Sequence, residues 1–327
     1  MKQKIIIAVL MFAGLGLASA KDKSPTWTDP KKAAEENVDF TLQGEYGFLE
    51  AGAKYGVQVV ALGDGKFDAY ILASGLPGLG WTKEKSRIRI SGQSEGDVVN
   101  FSESEDTKGV IKNGKFELEK SGEKTVLPRI ERASPTLGMK PPEGAVVLFD
   151  GSSADEWKDG KMVDGLLAAT NCLSKKTFND CEIHLEFRTP YKPFARGQKR
   201  GNSGVYYGGR WETQVLDSFG LEGKMNECGG IYSIAAPRLN MCLPPLTWQT
   251  YDVEMVAARF DENGKRTAWP RITVKLNGVV VHEDLELAKD GTTACPVKGP
   301  LTPEGNPIFL QNHGNPVFFR NIWVVEK

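Results

Sequence analysis

Histidine is scarce in this sequence. There are three, His184, His282 and His313, set far apart and without the spacing of metal ligands. No Cys-x-x-Cys occurs, so a zinc ribbon or thioredoxin-like site is excluded. No Gly-x-Ser-x-Gly elbow occurs either, which removes an α/β-hydrolase triad. Gly63-Asp64-Gly65-Lys66 lacks the spacing and the following helix of a phosphate loop. The formal charge is −1, so there is no basic footprint for nucleic acid or an anionic membrane. Helix-period stretches are few, whereas 36 glycines and 18 prolines favour short strands joined by turns.

Long apolar runs are missing too, except at the start. Lys2 and Lys4 precede an apolar run from Ile5 to Leu17 and the small-x-small site Ala18-Ser19-Ala20. That order reads as a cleaved signal peptide, residues 1–20, with Lys21 as the new N-terminus and no membrane span afterwards. Export to the periplasm or the medium is therefore expected. No cysteine lies near the cleavage site, which argues against a lipoprotein. The five cysteines, Cys172, Cys181, Cys228, Cys242 and Cys295, all lie in the second half. Export permits disulfides, and the odd count leaves at least one thiol over. Cys172 with Cys181 and Cys228 with Cys242 are the pairings expected from proximity in sequence.

The length favours two domains. Residues 21–37 are polar and read as a loose leader. Residues 38–133 read as a small antiparallel domain, with a hairpin around Gly63-Asp64-Gly65, strict alternation over Arg87–Ser91 and an Asn113-Gly114 hairpin. Residues 134–142 form a proline-rich connector, whose Pro141-Pro142 pair forbids helix. Residues 143–327 run strand after strand, with another Asn-Gly turn at Asn277-Gly278. The pattern predicts an all-β chain: a two-sheet antiparallel sandwich behind a smaller β-rich domain.

Candidate chemistry gathers on two strands and one loop. Alternation over Cys181–Arg188 puts Glu182, His184, Glu186 and Arg188 on one face, either simply solvated or lining a groove suited to sugar hydroxyls. In the Arg210–Asp217 strand, Glu212 and Gln214 share a face. Asp217 falls on the opposite one unless a bulge brings it round. Two carboxylates in a groove suit general acid–base work. Of the histidines, His313 sits in a polar turn beside amides and is the better site candidate. His282 follows a hairpin and is expected at the surface, and Cys228 is expected to be a buried thiol or half of a disulfide.

Several segments resemble the 3-keto-disaccharide hydrolase family. They are Val147-Leu148-Phe149-Asp150-Gly151 with Trp157, Glu186-Phe187-Arg188, Gly201-Asn202-Ser203-Gly204-Val205-Tyr206, Glu212-Thr213-Gln214-Val215-Leu216-Asp217-Ser218, Trp248-Gln249-Thr250-Tyr251-Asp252, Leu310-Gln311-Asn312-His313-Gly314 and Phe319-Arg320-Asn321-Ile322-Trp323. The resemblance covers roughly residues 146–327 and implies a concanavalin A-like jelly roll. Related glucanases carry Glu-x-Asp-x-Glu. Here the strand reads Glu212-x-Gln214, so double displacement by two close carboxylates does not carry over. The resemblance implies instead a glycoside oxidised at C3, whose acidified C2–H is removed by a base, with loss of the C1–O bond and later hydration. Glu212 or Asp217 is expected as base and His313 as acid–base partner. Arg188 and Gln214 are expected to polarise the ketone, with Glu186, Asn202 and Tyr206 as further sugar contacts. No cofactor is named by the residues, and a metal held by Glu212, Asp217 and His313 has no support in their spacing. The alternative is a non-catalytic carbohydrate-binding module, which would present an aromatic platform such as Trp211 and Tyr206 and no cluster of ionisable groups.

Overall fold

Three two-residue turns set registers in both halves of the molecule. Asp64-Gly65, Asn113-Gly114 and Asn277-Gly278 all have positive φ, between 50° and 79°. That is the type I′ conformation whose twist matches the strands it joins, and it favours Asn or Asp followed by Gly. These turns pair Gly63 with Lys66, Lys112 with Lys115 and Leu276 with Val279. The computed structural model describes residues 24–104 and 106–327. The expected signal segment, Lys2 to Ala20, lies outside them.

The N-terminal strands form a closed eight-stranded barrel, in sequence order from Gly44–Tyr46 to Glu123–Ile130. It closes where Glu45 pairs with Ile130 and Tyr46 with Arg129, which leaves no open edge. Alternation turns Val57, Val59, Phe67, Ala69, Ile71, Phe101 and Phe116 into its core. The described part of the expected loose leader, residues 24–37, is structured instead. Asp29 accepts the N–H of Lys32 and caps a helix, Pro30–Glu36, with proline at its start. Just before it, Trp27 forms a bridge with Tyr191 of the sandwich. The Asp-Pro pair was a helix-start signal within a segment read as merely polar.

The C-terminal part is a sandwich. One five-stranded sheet runs Trp157–Lys158, Cys172–Phe178, Asn306–Leu310, Ser203–Tyr207, Trp211–Val215. The facing eight-stranded sheet is centred on Cys181–Arg188, between Phe318–Glu326 and Gln249–Val256. Ile183, Leu185 and Phe187 of one sheet and Val205, Tyr207, Trp211 and Val215 of the other meet in the core. All five cysteines are free and buried. Cys172 and Cys181 flank the Cys172–Phe178 strand at opposite ends, roughly 20 Å apart at strand rise, which rules out the expected bridge. Cys228 and Cys242 are neighbours joined by a hydrogen bond between thiols.

Glu182 at the start of the polar face of Cys181–Arg188 stays exposed, but His184 and Glu186 are buried. The proline-rich connector lies across them. Gly138 N–H donates to Glu186 Oε1 at 2.6 Å and the Thr136 hydroxyl to Asp252 Oδ2 at 2.7 Å, while Met139 carbonyl accepts from Asn321 and Trp323. His184 Nδ1 lies 2.6 Å from Asp252 Oδ1, its ring stacked on Trp323. Burial opposes charging His184, but hydrogen bonds and charge from Asp252 and Glu186 outweigh it and raise its pKa. Burial also opposes charging Glu186, yet bonds from His184, Asn321, Gly138 and Arg320 hold it down at about 2. A raised His pKa contributes stability that is fully present below the unfolded value of about 6.5 and is lost as pH rises through the folded value. The depressed Glu186 contributes above the unfolded carboxylate range, and its part is lost only as pH falls toward about 2. Urea titrations should therefore show the wild type losing more stability than His184→Gln does as pH rises above the unfolded His value of about 6.5. Parallel profiles would refute this reading of the connector.

Candidate active site

The Ser203–Tyr207 and Trp211–Val215 strands pair without a register shift, Gly204 opposite Gln214 and Tyr206 opposite Glu212. Paired residues project to the same side. Because Val205, Tyr207, Trp211 and Val215 fill the core, Gly204, Tyr206, Glu212 and Gln214 must occupy the outer face of this sheet. Phe309, opposite Tyr206 on the next strand, joins them there. Two loops wall in that face. Residues 227–235 run along the Trp211–Val215 edge, with Gln214 N–H donating to Gly230 carbonyl and Tyr232 N–H to Glu212 carbonyl, so Tyr232 stands beside the carboxylate. Further along the same edge the Thr292 hydroxyl accepts Glu212 N–H and donates to Arg210 carbonyl, which brings Thr293 and Ala294 to the site.

Glu212 ends up 3% exposed despite its place on an outer sheet face. Burial pushes its carboxyl up to about 7, only partly offset by the Tyr206 hydroxyl, which donates to Oε2 at 2.8 Å. Tyr206 is itself fully buried, accepts from Gln311 Nε2 at 2.9 Å and lies 3.2 Å from Thr293 carbonyl. Its one proton thus has two acceptors. It can hold a charged Glu212, or turn to the carbonyl when Glu212 is protonated. Gly204 is obligatory for this placement, since a Cβ there would sit 2.3 Å from Glu212 Oε1.

Around the carboxylate is a small cavity of about 70 Å³, whose lining includes Asn202, Gln214, Gln311, Tyr232 and the exposed His313. Gln198, from a short 3-10 turn, organises its amides. Gln198 Oε1 accepts N–H groups from both Asn202 and Gln214, at 2.9 and 2.8 Å. The amide N–H of Gln311 goes to Tyr206. The outcome is that Asn202 Oδ1, Gln214 Oε1 and Gln311 Oε1 are buried without a partner. A buried unpaired acceptor costs about 1–3 kcal/mol. A cluster of them in one cavity is chemistry suited to a ligand rich in hydroxyl donors.

The structure gathers Glu212, Asn202, Gln214 and His313, and separates the other expected residues. No bulge brings Asp217 round. It lies past the strand end, facing away, where Arg200 Nε donates to its Oδ2 at 2.7 Å in a buried ion pair. Arg200 also reaches the Ala61 carbonyl of the barrel, so Asp217 ties the two halves together. The expected trio of Glu212, Asp217 and His313 is therefore split. Among the described residues no three His, Cys, Asp or Glu side chains are grouped to hold a metal. Glu186 is locked under the connector, and Arg188 stacks on Trp248 on the outer face of the other sheet. Gln214 spends amide N–H groups on Gln198 and Asn226, so it offers an acceptor and not the ketone-polarising donor expected of it. Tyr206 touches Glu212 in place of sugar, and Trp211 packs into the core, so the aromatic platform of a binding module is not formed. His282, expected at the surface, is 4% exposed against Gly229 carbonyl, its pKa pushed down to about 4 by burial. Sequence reasoning missed Gln198, Tyr232 and Gln311. Gln311 continues the outward alternation of Phe309 and was within reach. Tyr232 arrives on a loop with no local signal.

Two substitutions test this geometry. Asp217→Ala should cost about 3–5 kcal/mol in urea unfolding, because it strands the Arg200 charge; a loss under about 1 kcal/mol would contradict the tie to the barrel. Tyr206→Phe removes the one bond that lowers the Glu212 pKa. The titration of the Glu212 carboxyl, followed by carbon NMR, should then move to higher pH. A shift to lower pH, or none, would contradict the assignment.

Residues 144–325 match the model of a family described as the 3-keto-alpha-glucoside-1,2-lyase-like domain. The crystal structure of a "putative glycosyl hydrolase" from Parabacteroides distasonis is similar, with 32% identity and a TM-score of 0.51 over 57% of this chain and 85% of that one. Two further structures of that description from the same organism are 19% and 21% identical, with TM-scores of 0.41 and 0.40, over 57% of this chain and 94% and 100% of theirs. No curated protein matches the chain. With more than half its length matched, the chain belongs to the 3-keto-alpha-glucoside-1,2-lyase-like domain family.

Proposed function

We propose that this chain is an exported enzyme that cleaves glycosides oxidised at C3, by base-catalysed elimination across C1–C2 followed by hydration. Family membership and the glycosyl-hydrolase description of the similar structure support glycoside cleavage in general. The export half rests on Lys2 to Ala20. One observation carries the chemical steps: a single buried carboxyl, Glu212, raised to about 7, beside unpaired amide oxygens.

The ketone at C3 acidifies the C2–H. Glu212, whose raised pKa of about 7 makes its carboxylate a stronger base than an ordinary one, accepts that proton, and the C2–H electron pair becomes the enolate. The enolate re-forms the ketone and expels the C1 oxygen, which leaves a C1=C2 double bond conjugated to the carbonyl. His313, on the loop lining the pocket, gives a proton to the departing oxygen. Water then adds its oxygen to C1 and gives the proton it releases to His313, while protonated Glu212 returns its proton to C2, so the sum is hydrolysis and both groups are regenerated. During the step the Tyr206 proton turns from Glu212 to Thr293 carbonyl, so both protonation states are accommodated. Asn202, Gln214 and Gln311 accept from the sugar hydroxyls. Arg188 has no part, and with His313 engaged by the leaving oxygen the donor left for the ketone is Tyr232.

The test is turnover of 3-keto-glucosides against ordinary glucosides. Glu212→Gln should lower kcat on the keto substrates by roughly 10²–10⁴. His313→Ala should lower it more for a poor leaving group such as a sugar than for an acidic phenol, which departs without help. Tight binding of sugar with no turnover of any keto-glycoside would make the domain a binding module.

A further inference from the structure

A much larger cleft, about 970 Å³, lies beside the pocket, between the barrel loop around Trp81 and the sandwich loop carrying Lys224 and Tyr232. The two spaces adjoin. Tyr232 lines both, and the carbonyl of Asn226, which also lines the cleft, accepts N–H groups from Gln198 and Gln214 of the pocket. Their chemistry differs. The pocket presents neutral amides, whereas Lys83, Lys85, Arg87 and Lys224 line the cleft against a single acidic residue, Glu222.

That carboxylate is already engaged, 3.1 Å from Lys224. The barrel cations are held by backbone carbonyls. Lys83 Nζ donates to Gly223 and Pro237 at 2.7 and 2.6 Å, Lys85 Nζ to Gly80 at 2.5 Å, and Arg87 Nη2 to Gly220 at 2.5 Å with its guanidinium over the Tyr70 ring. A carbonyl orients an ammonium or guanidinium without cancelling its charge. Glu227, close to Lys83, is occupied by the N–H groups of Gly223 and Lys224. Glu222, Glu227 and Glu84 thus offset Lys83 only in part, and four cations face one lining carboxylate in a concave, partly apolar space that includes Trp81. That arrangement concentrates anions, and low-dielectric walls strengthen it.

We propose that the cleft is the leaving-group subsite and takes a hexose bearing a carboxylate or a sulfate ester. With the scissile bond at Glu212, the rest of the substrate passes Tyr232 into the cationic cleft. This rests on the pocket being the sugar site, and it assigns the barrel a part in selecting substrate.

Calorimetric titration of the full chain with a glucosyl-glucuronate, its 6-sulfated counterpart and the neutral disaccharide tests it. At least one acidic sugar should bind about tenfold tighter than the neutral one. The advantage should vanish between about 0.05 M and about 0.5 M salt. Gain with only the carboxylate or only the sulfate names the group, and gain with both means that charge alone is read. Lys85→Gln should remove most of the advantage and Lys83→Gln with Lys85→Gln all of it. Lys83 bridges barrel and sandwich, so if the double variant melts early, Lys85→Gln and the salt series decide. Equal affinity for acidic and neutral sugars, or an advantage that survives in a Lys85→Gln variant melting like the wild type, would overturn the proposal. An acidic preference without turnover of any keto-glycoside would leave the cleft standing and sink the lyase chemistry. Turnover without acidic preference would do the reverse.

Discussion

Everything proposed for this protein depends on taking one carboxylate out of water. Glu212 stands on the outer face of a β-sheet, where an acidic side chain would ordinarily be solvated and fully ionised at neutral pH. Here the 227–235 loop, the Thr292–Ala294 turn and the Tyr206 ring close over it, and its pKa rises to about 7. Desolvation is the larger effect and the Tyr206 bond the smaller, so the group is neither a stable anion nor a permanent acid. Gly204 opposite provides the volume, and the unpaired oxygens of Asn202, Gln214 and Gln311 provide the polar wall.

The rest of the fold holds those loops in place. The Asp217–Arg200 pair anchors the turn that carries Gln198, and Arg200 reaches on to the barrel at Ala61. The barrel is thereby coupled to the site through the residue that orients its amides. On the far sheet, His184, Glu186 and Asp252 pin the connector, which fixes where the barrel can sit. Asp217, Arg200 and Glu186 are thus paired anchors, whereas the Glu212 carboxyl has the Tyr206 hydroxyl and no cationic partner.

The sequence carried the fold well because the fold is local in origin. Asn-Gly and Asp-Gly turns and period-two alternation are read within a few residues, and they gave the two β-rich halves and the sandwich. The family motifs, met in order, gave the fold type. Face assignment was where local reading stopped. Alternation put Glu212 and Gln214 together and Asp217 opposite, and the structure kept that alternation. But alternation does not say which polar face is covered. The Glu186 face and the Glu212 face look alike in sequence, and only long-range packing puts a connector on one and a cavity on the other. Tyr232 and Gln198 reach the site from loops, beyond any periodic signal. Asp29-Pro30 was a legible helix start overlooked in a polar stretch.

The central claim is that Glu212 removes a proton from C2 of a 3-keto sugar. It is met most directly with a 3-keto-hexose that has no leaving group at C1, held in D₂O and followed by proton NMR at C2. The account predicts that the wild type exchanges the C2 proton for deuterium far faster than buffer, and that Glu212→Gln, folded and still binding the sugar, does not. Exchange at the same rate in both proteins, or none above buffer in the wild type, would contradict it.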